Sequence, residues 1–230
     1  MHNNEQIISY LQANNILALK LDRALAGIGK TVSTQIDTIG AGATRGLYYT
    51  SCLTEEYKDV CRKQRNEDIR FAKGIYHLLQ NGNITYEMLR IYFEEVFRNK
   101  TSEQLEHIKK MLMAVNIHIA ASSLTNIGFA LATASYVAIG TNLSLEISAL
   151  AGKWATRGIA SVGFYGVVQK AADCAYRLQI TYPAYYSALY SHELEMMYFL
   201  IAPLFERAAA HKAPWASESE LANIITRMIQ

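Results

Sequence analysis

Few residues of this chain stand where chemistry would need them. Gly29-Lys30-Thr31 matches the end of a phosphate-binding loop, in which backbone N–H groups cradle a phosphate and a lysine neutralises it. The first glycine of that pattern falls at Ala24, and the residues before it carry a helical rather than a strand pattern, so no nucleotide site is expected. Gly40, Gly42 and Gly46 miss the dinucleotide fingerprint by one residue and lie in no βαβ unit. His192-Glu193 opens like the helical zinc-protease motif, but Met196 stands where the second histidine must be. Glu94 with Glu95, and Glu193 with Glu195, face different sides of a helix and make no acid/base pair. His2, His77, His107, His118 and His211 are scattered, and His118 reads as a satisfied core histidine. Cys52, Cys61 and Cys174 are an odd number at no metal-ligand spacing and read as ordinary buried thiols. The expectation is a protein that is not an enzyme and holds neither cofactor nor metal.

What the sequence offers instead is a missing property. Residues 111–145 carry no formal charge, although the 110 residues before them are dense in Lys, Arg, Asp and Glu. The run is apolar enough to bury, yet it contains Asn116, His118, Ser122, Ser123, Thr125, Asn126, Thr133 and Ser135. A dedicated membrane anchor is greasier and a solvent-facing helix more charged. The segment therefore stands between a protein core and a bilayer.

Helical signals dominate the elements around it. A short helix is expected after Asn4 to about Gln12, then a stripe of apolar residues at steps of three and four from Leu17 to Leu47. Thr54 reads as the cap of an amphipathic helix ending at Asn81-Gly82-Asn83. Thr85 reads as the cap of a helix to Arg98 whose inner face is Leu89, Tyr92, Phe93, Val96 and Phe97. Thr101 and Gln104 fit a capping box that opens a helix over 103–139. Gly140, Thr141 and Asn142 form a turn, and a partner helix follows over 143–180. Pro183 then starts an aromatic-rich helix to about residue 210, kinked at Pro203, and Ser217 with Glu220 boxes the last helix. No two-residue alternation competes. The predicted fold is all-α, a multi-helix bundle around a long antiparallel hairpin, organised as 1–102 amphipathic helices, 103–180 hairpin and 181–230 aromatic-rich helices.

The hairpin has a predicted interface of small residues. Ala121, Thr125, Gly128, Ala132 and Ser135 line one arm; Ala149, Gly152, Thr156, Ala160 and Gly163 line the other. Such stripes let backbones approach closely, which is how membrane helices pack without a hydrophobic driving force. They serve an alanine-rich soluble bundle equally well. Off the stripes, Ile127, Phe129, Leu131, Val137, Ile139 and Trp154 are the candidates to meet lipid. Tyr182, Tyr185, Tyr186, Tyr190, Tyr198 and Phe199 cluster behind the hairpin, fit either for a membrane–water interface or for a bundle core.

Composition narrows the classes further. Charged residues are 18% of the chain, against roughly 25% in an average globular protein. A net charge of +2 gives no footprint for nucleic acid. The N-terminal residues lack the basic and apolar regions of a Sec signal, so the chain is expected to be made in the cytoplasm and to leave, if it does, by a route that reads no such signal.

In its layout of an uncharged helical hairpin within a helical chain, residues 111–180 resemble the colicin-type channel-forming toxins. The resemblance is one of composition without a shared motif, and Lys153 and Arg157 depart from it. It implies a bacterial membrane-active protein, a small secreted antibacterial effector that is soluble when made and inserts its hairpin to permeabilise or depolarise a membrane. The partners it implies are a lipid membrane, a secretion machine or immunity protein, and further copies of the chain when inserted. Thirty-seven helical residues would span about 55 Å, enough to cross a hydrocarbon core of roughly 30 Å. The alternative is a soluble helical interaction protein, such as an immunity protein, chaperone or adaptor, whose hairpin is simply its core.

Overall fold

The computed structural model describes residues 45, 52–53, 58–81, 83–120, 123–141 and 162–229. Among them 85% are helical and none forms a strand, so the fold is all-α. The α-helices are α1 (Lys58–Asn81), α2 (Ile84–Phe97), α3 (Ser102–Ala114), α4 (Asn126–Gly140), α5 (Val162–Thr181), α6 (Pro183–Ser191), α7 (Ala202–Ala208) and α8 (Glu218–Ile229). Two 3-10 helices, Glu195–Leu200 and Ala210–Trp215, flank α7. The helix expected after Asn4 and the stripe from Leu17 to Leu47 lie outside the described residues, apart from Arg45.

The described residues divide into two compact units. The first holds Arg45, Cys52–Leu53, α1 as far as Ala72 and α5 as far as Asp173; the second holds the rest. In the second unit α2 is the central element. Its expected inner face, Leu89, Tyr92, Phe93, Val96 and Phe97, is buried, and so are Ile84, Thr85, Met88 and Ile91. Thr85 is therefore inside the helix rather than at its cap; Asn83 holds the cap position without a side-chain bond. The main partner of α2 is α4, and α6 also packs on it. The strongly amphipathic α8 buries Leu221, Ala222, Ile224, Ile225 and Met228 and packs against α3, α4 and α7.

The long helix expected over 103–139 is two helices. The capping box at its start forms as read: Thr101 Oγ1 accepts from the Gln104 N–H, and Gln104 Oε1 accepts from the Thr101 N–H. The helix then ends at Ala114 because Asn116 takes a left-handed conformation, φ 62°. The Ile117 N–H bonds to Leu112 O at 2.9 Å and the Asn116 N–H to Met113 O at 3.0 Å, the paired closure of a Schellman end. Asparagine is the commonest substitute for glycine at that position. Residues 117–120 lie outside any helix, and burial alternates: Ile117 and Ile119 are buried, His118 and Ala120 exposed. His118 is thus a surface residue, not the core histidine expected.

A new start follows at α4. Thr125 caps it, its hydroxyl accepting from the Gly128 N–H at 3.0 Å. A Cβ on Gly128 would come within 2.8 Å of that hydroxyl and 3.2 Å of the Ser123 backbone, so this glycine serves the cap. Asn126 does the joining. Its Nδ2 donates to the carbonyls of Phe97, Arg98 and Lys100 at 2.6, 2.8 and 3.1 Å. These oxygens lie at the C-terminal end of α2, where carbonyls have no partner within the helix. At the other end α4 stops at Gly140 with Thr141 as its cap, as expected; Asn142 lies outside the described residues.

The aromatic-rich region is likewise not one helix. Glu193 takes φ 59° and ends α6 with the same pair of closing bonds, Leu194 N–H to Leu189 O and Glu193 N–H to Tyr190 O. Pro203 falls in the first turn of α7, where its missing N–H costs nothing, so it starts a helix instead of kinking one. Pro183 opens α6 as predicted, with Tyr182 rather than Thr181 at the cap position. Ser217 Oγ accepts from the Glu220 N–H at the start of α8.

Two stability tests follow. Asn126→Ala removes the amide from three carbonyls and should destabilise the second unit by about 1–3 kcal/mol in denaturant unfolding; a loss below about 0.5 kcal/mol would show that water replaces it without cost. Ala209, at φ 54°, ends α7 in the conformation that glycine adopts most readily. Ala209→Gly should raise stability by roughly 1 kcal/mol, and an unchanged or lower melting temperature would contradict this.

Candidate functional site

α4 is the described core of the uncharged run. One face of it, Phe129, Ala130, Thr133, Ala134, Val137 and Ala138, is buried. Ile127, Leu131, Ser135 and Ile139 follow at steps of four, a row that drifts from the side of Ala134 in the first turn to the side opposite it at Ile139. Ile127 is 66% exposed and Ile139 77%, with Leu131 and Ser135 half-buried between them. The uncharged helix is thus buried on one face and partly covered along this row, with large apolar side chains exposed near its two ends.

The helix also leaves little side-chain polarity unpaired. Thr133 Oγ1 donates to Phe129 O at 2.8 Å, Ser135 Oγ to Leu131 O at 2.9 Å and Thr141 Oγ1 to Val137 O at 2.8 Å. Each hydroxyl is folded back on its own helix and asks nothing of water. Tyr136 reaches out, as Asn126 does, donating to Asn116 O at 3.1 Å and bracing the turn that broke the run.

Of the two expected packing stripes, Thr125, Gly128, Ala132, Ser135 and Gly163 lie among the described residues. On the small-residue stripe, Thr125 is exposed, and Gly128, Ala132 and Ser135 are only half-buried, because the face that packs on α2 is the one centred on Ala130, Ala134 and Val137. Val137, expected to lie off the packing face, is 0% exposed, and Phe129 is equally buried. Of the lipid-facing candidates Ile127 and Ile139 are exposed, and Leu131 is partly so. Ala121, Ala149, Gly152, Trp154, Thr156 and Ala160 lie outside the described residues. Gly163 lies within α5, and Gly140 approaches α8, where an added Cβ would meet Ile229 Cγ2 at 3.0 Å.

The aromatic cluster is core. Tyr92 meets Tyr185, Tyr182 and Phe205 edge-on, and Tyr185 stacks on Phe205 with centroids 5.6 Å apart. Tyr92 donates to Ala210 O and Tyr185 to Met88 O, both at 2.9 Å, so each buried hydroxyl is satisfied. Phe97 meets Phe129 edge-on at 4.9 Å, which carries the cluster onto α4. Of the aromatics expected at a membrane interface, Tyr182 and Tyr185 are buried and Tyr186, Tyr198 and Phe199 half-buried; Tyr190 is exposed.

Three arrangements escaped sequence reasoning. In the first unit Arg45 is fully buried. Its Nε and Nη2 donate to Asp68, Nη1 to Glu67 and Gln169 at 3.0 and 3.2 Å, and Nη2 also to the Gln64 carbonyl at 3.1 Å. No local pattern announces such a residue, because its partners lie far along the chain. Also in this unit, Cys52 and Cys61 form a disulfide, which overturns the expectation of free thiols there; Cys174 is free. In the second unit Lys73 Nζ and His77 Nε2 both reach the Glu193 carboxylate, fixing the side chain of the left-handed residue that ends α6. Among the described residues no group of three or more His, Cys, Asp or Glu could hold a metal ion. Nor is any described helix long and apolar enough to cross a membrane.

No protein-family model, curated protein or solved structure matches this chain.

The tyrosine cluster makes a pH prediction. Burial pushes the phenols of Tyr92, Tyr185, Tyr182 and Tyr198 above their ordinary value near 10. A group whose folded pKa is raised contributes stability that is complete below the unfolded pKa and is lost as pH rises through the folded one. The second unit should therefore keep its helices to about pH 10 and unfold above it. In ultraviolet titration these tyrosines should ionise together with loss of helical signal. Reversible ionisation of all fifteen tyrosines with helicity intact would contradict the packing.

Proposed function

We propose that the chain is a membrane-active protein, of the kind expected for a small secreted bacterial effector, in which the uncharged run is the element that meets the bilayer. One observation carries this reading: α4 is uncharged, and the hydroxyls of Thr133, Ser135 and its cap Thr141 are satisfied by its own backbone. In water, α2 and α8 cover one side of it, while Ile127 in its first turn and Ile139 in its last remain exposed to solvent. Entering lipid, such a helix would strand none of these three hydroxyls, so the cost of burying polar groups is left to Tyr136 and Asn126.

Length sets the condition for spanning. The 15 residues of α4 extend about 22 Å, short of a hydrocarbon core of roughly 30 Å. A spanning helix would have to annex residues 117–125, which requires Asn116 to keep its left-handed turn while the Thr125 cap opens. Twenty-four residues, 117–140, would then reach about 36 Å. Interfacial docking through Ile127, Leu131 and Ile139 needs no such rearrangement and is the first step we assign.

A second reading, a soluble interaction module such as an immunity protein, chaperone or adaptor, is favoured by the Asn116 break, which divides the run into helices of core length. In that reading the Ile127–Ile139 edge serves a protein partner.

Dye-loaded anionic vesicles separate the two. The wild-type chain is expected to release dye, and the double variant Ile127→Lys with Ile139→Lys to keep its helicity and melting temperature while losing at least tenfold in release rate. Both side chains are exposed, so the lysines do not burden the core. Undiminished release by the variant would remove the α4 edge from the account. No release by wild type at neutral or acidic pH would return the protein to the interaction module.

A further inference from the structure

Cys52 lies in an exposed turn before α1, and Cys61 lies in the first turns of α1, half-buried. Their Cα atoms are 5.0 Å apart, inside the range of roughly 4.4–6.8 Å that a disulfide bridges without moving backbone. On α1 the positions Cys61, Gln64 and Asp68 follow one another at helical spacing, so they share a stripe. That stripe also receives Arg45, through Asp68 and the Gln64 carbonyl. The chain is thus fastened to one side of α1 twice, ionically at Arg45 and covalently at Cys52. The ionic attachment is indifferent to thiol chemistry, whereas the covalent one is not.

We infer that Cys52 and Cys61 are a thiol–disulfide switch, open where thiols are kept reduced and closed onto α1 when the chain meets a disulfide oxidant. The exchange balances with a small disulfide such as oxidised glutathione. One cysteine thiolate attacks it, forming a mixed disulfide and releasing one glutathione thiolate. The second cysteine, as thiolate, attacks the sulfur of the first and releases the other glutathione. Two cysteine thiols are oxidised, one glutathione disulfide is reduced, and the two protons pass to the departing thiolates. Exposure of Cys52 gives the oxidant its access. Closing so short a loop restricts the unclosed ensemble on the order of a hundredfold. The chain made in a reducing compartment and the chain that reaches an oxidising one would then differ in how firmly α1 holds the segment before it.

The test uses the full chain, fully reduced and then treated with oxidised glutathione. Alkylation should find three reactive thiols before treatment and one, Cys174, after it, in a protein two hydrogens lighter. Three thiols afterwards, or a lasting glutathione adduct on Cys52 or Cys61, would overturn the switch. Hydrogen exchange at the amides of residues 62–66 should be at least tenfold faster in the reduced chain, and Cys52→Ser in oxidant should match that reduced behaviour. Cys174→Ser should leave the difference intact. Equal protection in both redox states would show a bridge that controls nothing. Should Cys52→Ser fail to fold, the comparison of reduced and oxidised wild type still decides.

Discussion

An uncharged helix stays folded in water only if a neighbour covers one side of it and something satisfies the ends it exposes. For α4 both requirements are met by α2. Its aromatic face reaches Phe129 through Phe97, and its last carbonyls are gathered by the amide of Asn126. One side chain thus closes the end of one helix while starting the next, which sets the register between them. Tyr185 on α6, donating to Met88 O, and Tyr92 on α2, donating to Ala210 O, then tie α6 and the 3-10 helix after α7 into the same core. The second unit is arranged around this one pairing.

Much of the fold was legible because its signals are local. The capping box at Thr101 and Gln104, the inner face of α2, the stop at Gly140 and the start at Pro183 each depend on a few adjacent residues, and each lies where it was read. The errors arose where a single backbone conformation outranked a continuous apolar pattern. Asn116 and Glu193 both take left-handed φ in the middle of helix-forming runs. Asparagine is a recognised substitute for glycine there, so the first break was readable in principle; a glutamate has no such licence, and its side chain is held by Lys73 and His77, more than a hundred positions away.

The site was less legible than the fold. Small residues at helical spacing suggested which face of the uncharged helix packs, but a stripe of small residues states only that close approach is permitted. Which face is buried was decided by the aromatics of α2, so Val137 went inward and Thr125 outward. Ile127 and Ile139 remain exposed for different reasons, Ile139 because it lies opposite that contact and Ile127 because it stands in the first turn of α4. Arg45 and its acceptors on α1 and α5 could not be read at all: a buried arginine is made tolerable by partners up to 124 positions away, and no window along the sequence contains them.

The most direct measurement of the central claim places an environment-sensitive NBD fluorophore on Ile139→Cys, in a Cys174→Ser background with the disulfide intact, and follows its emission as anionic vesicles are added. The account predicts a blue shift and quenching by spin-labelled lipid, with the same probe unchanged at exposed His107 on α3. Emission at position 139 that stays at its aqueous wavelength with saturating vesicles would contradict it and assign the uncovered edge of α4 to a protein partner.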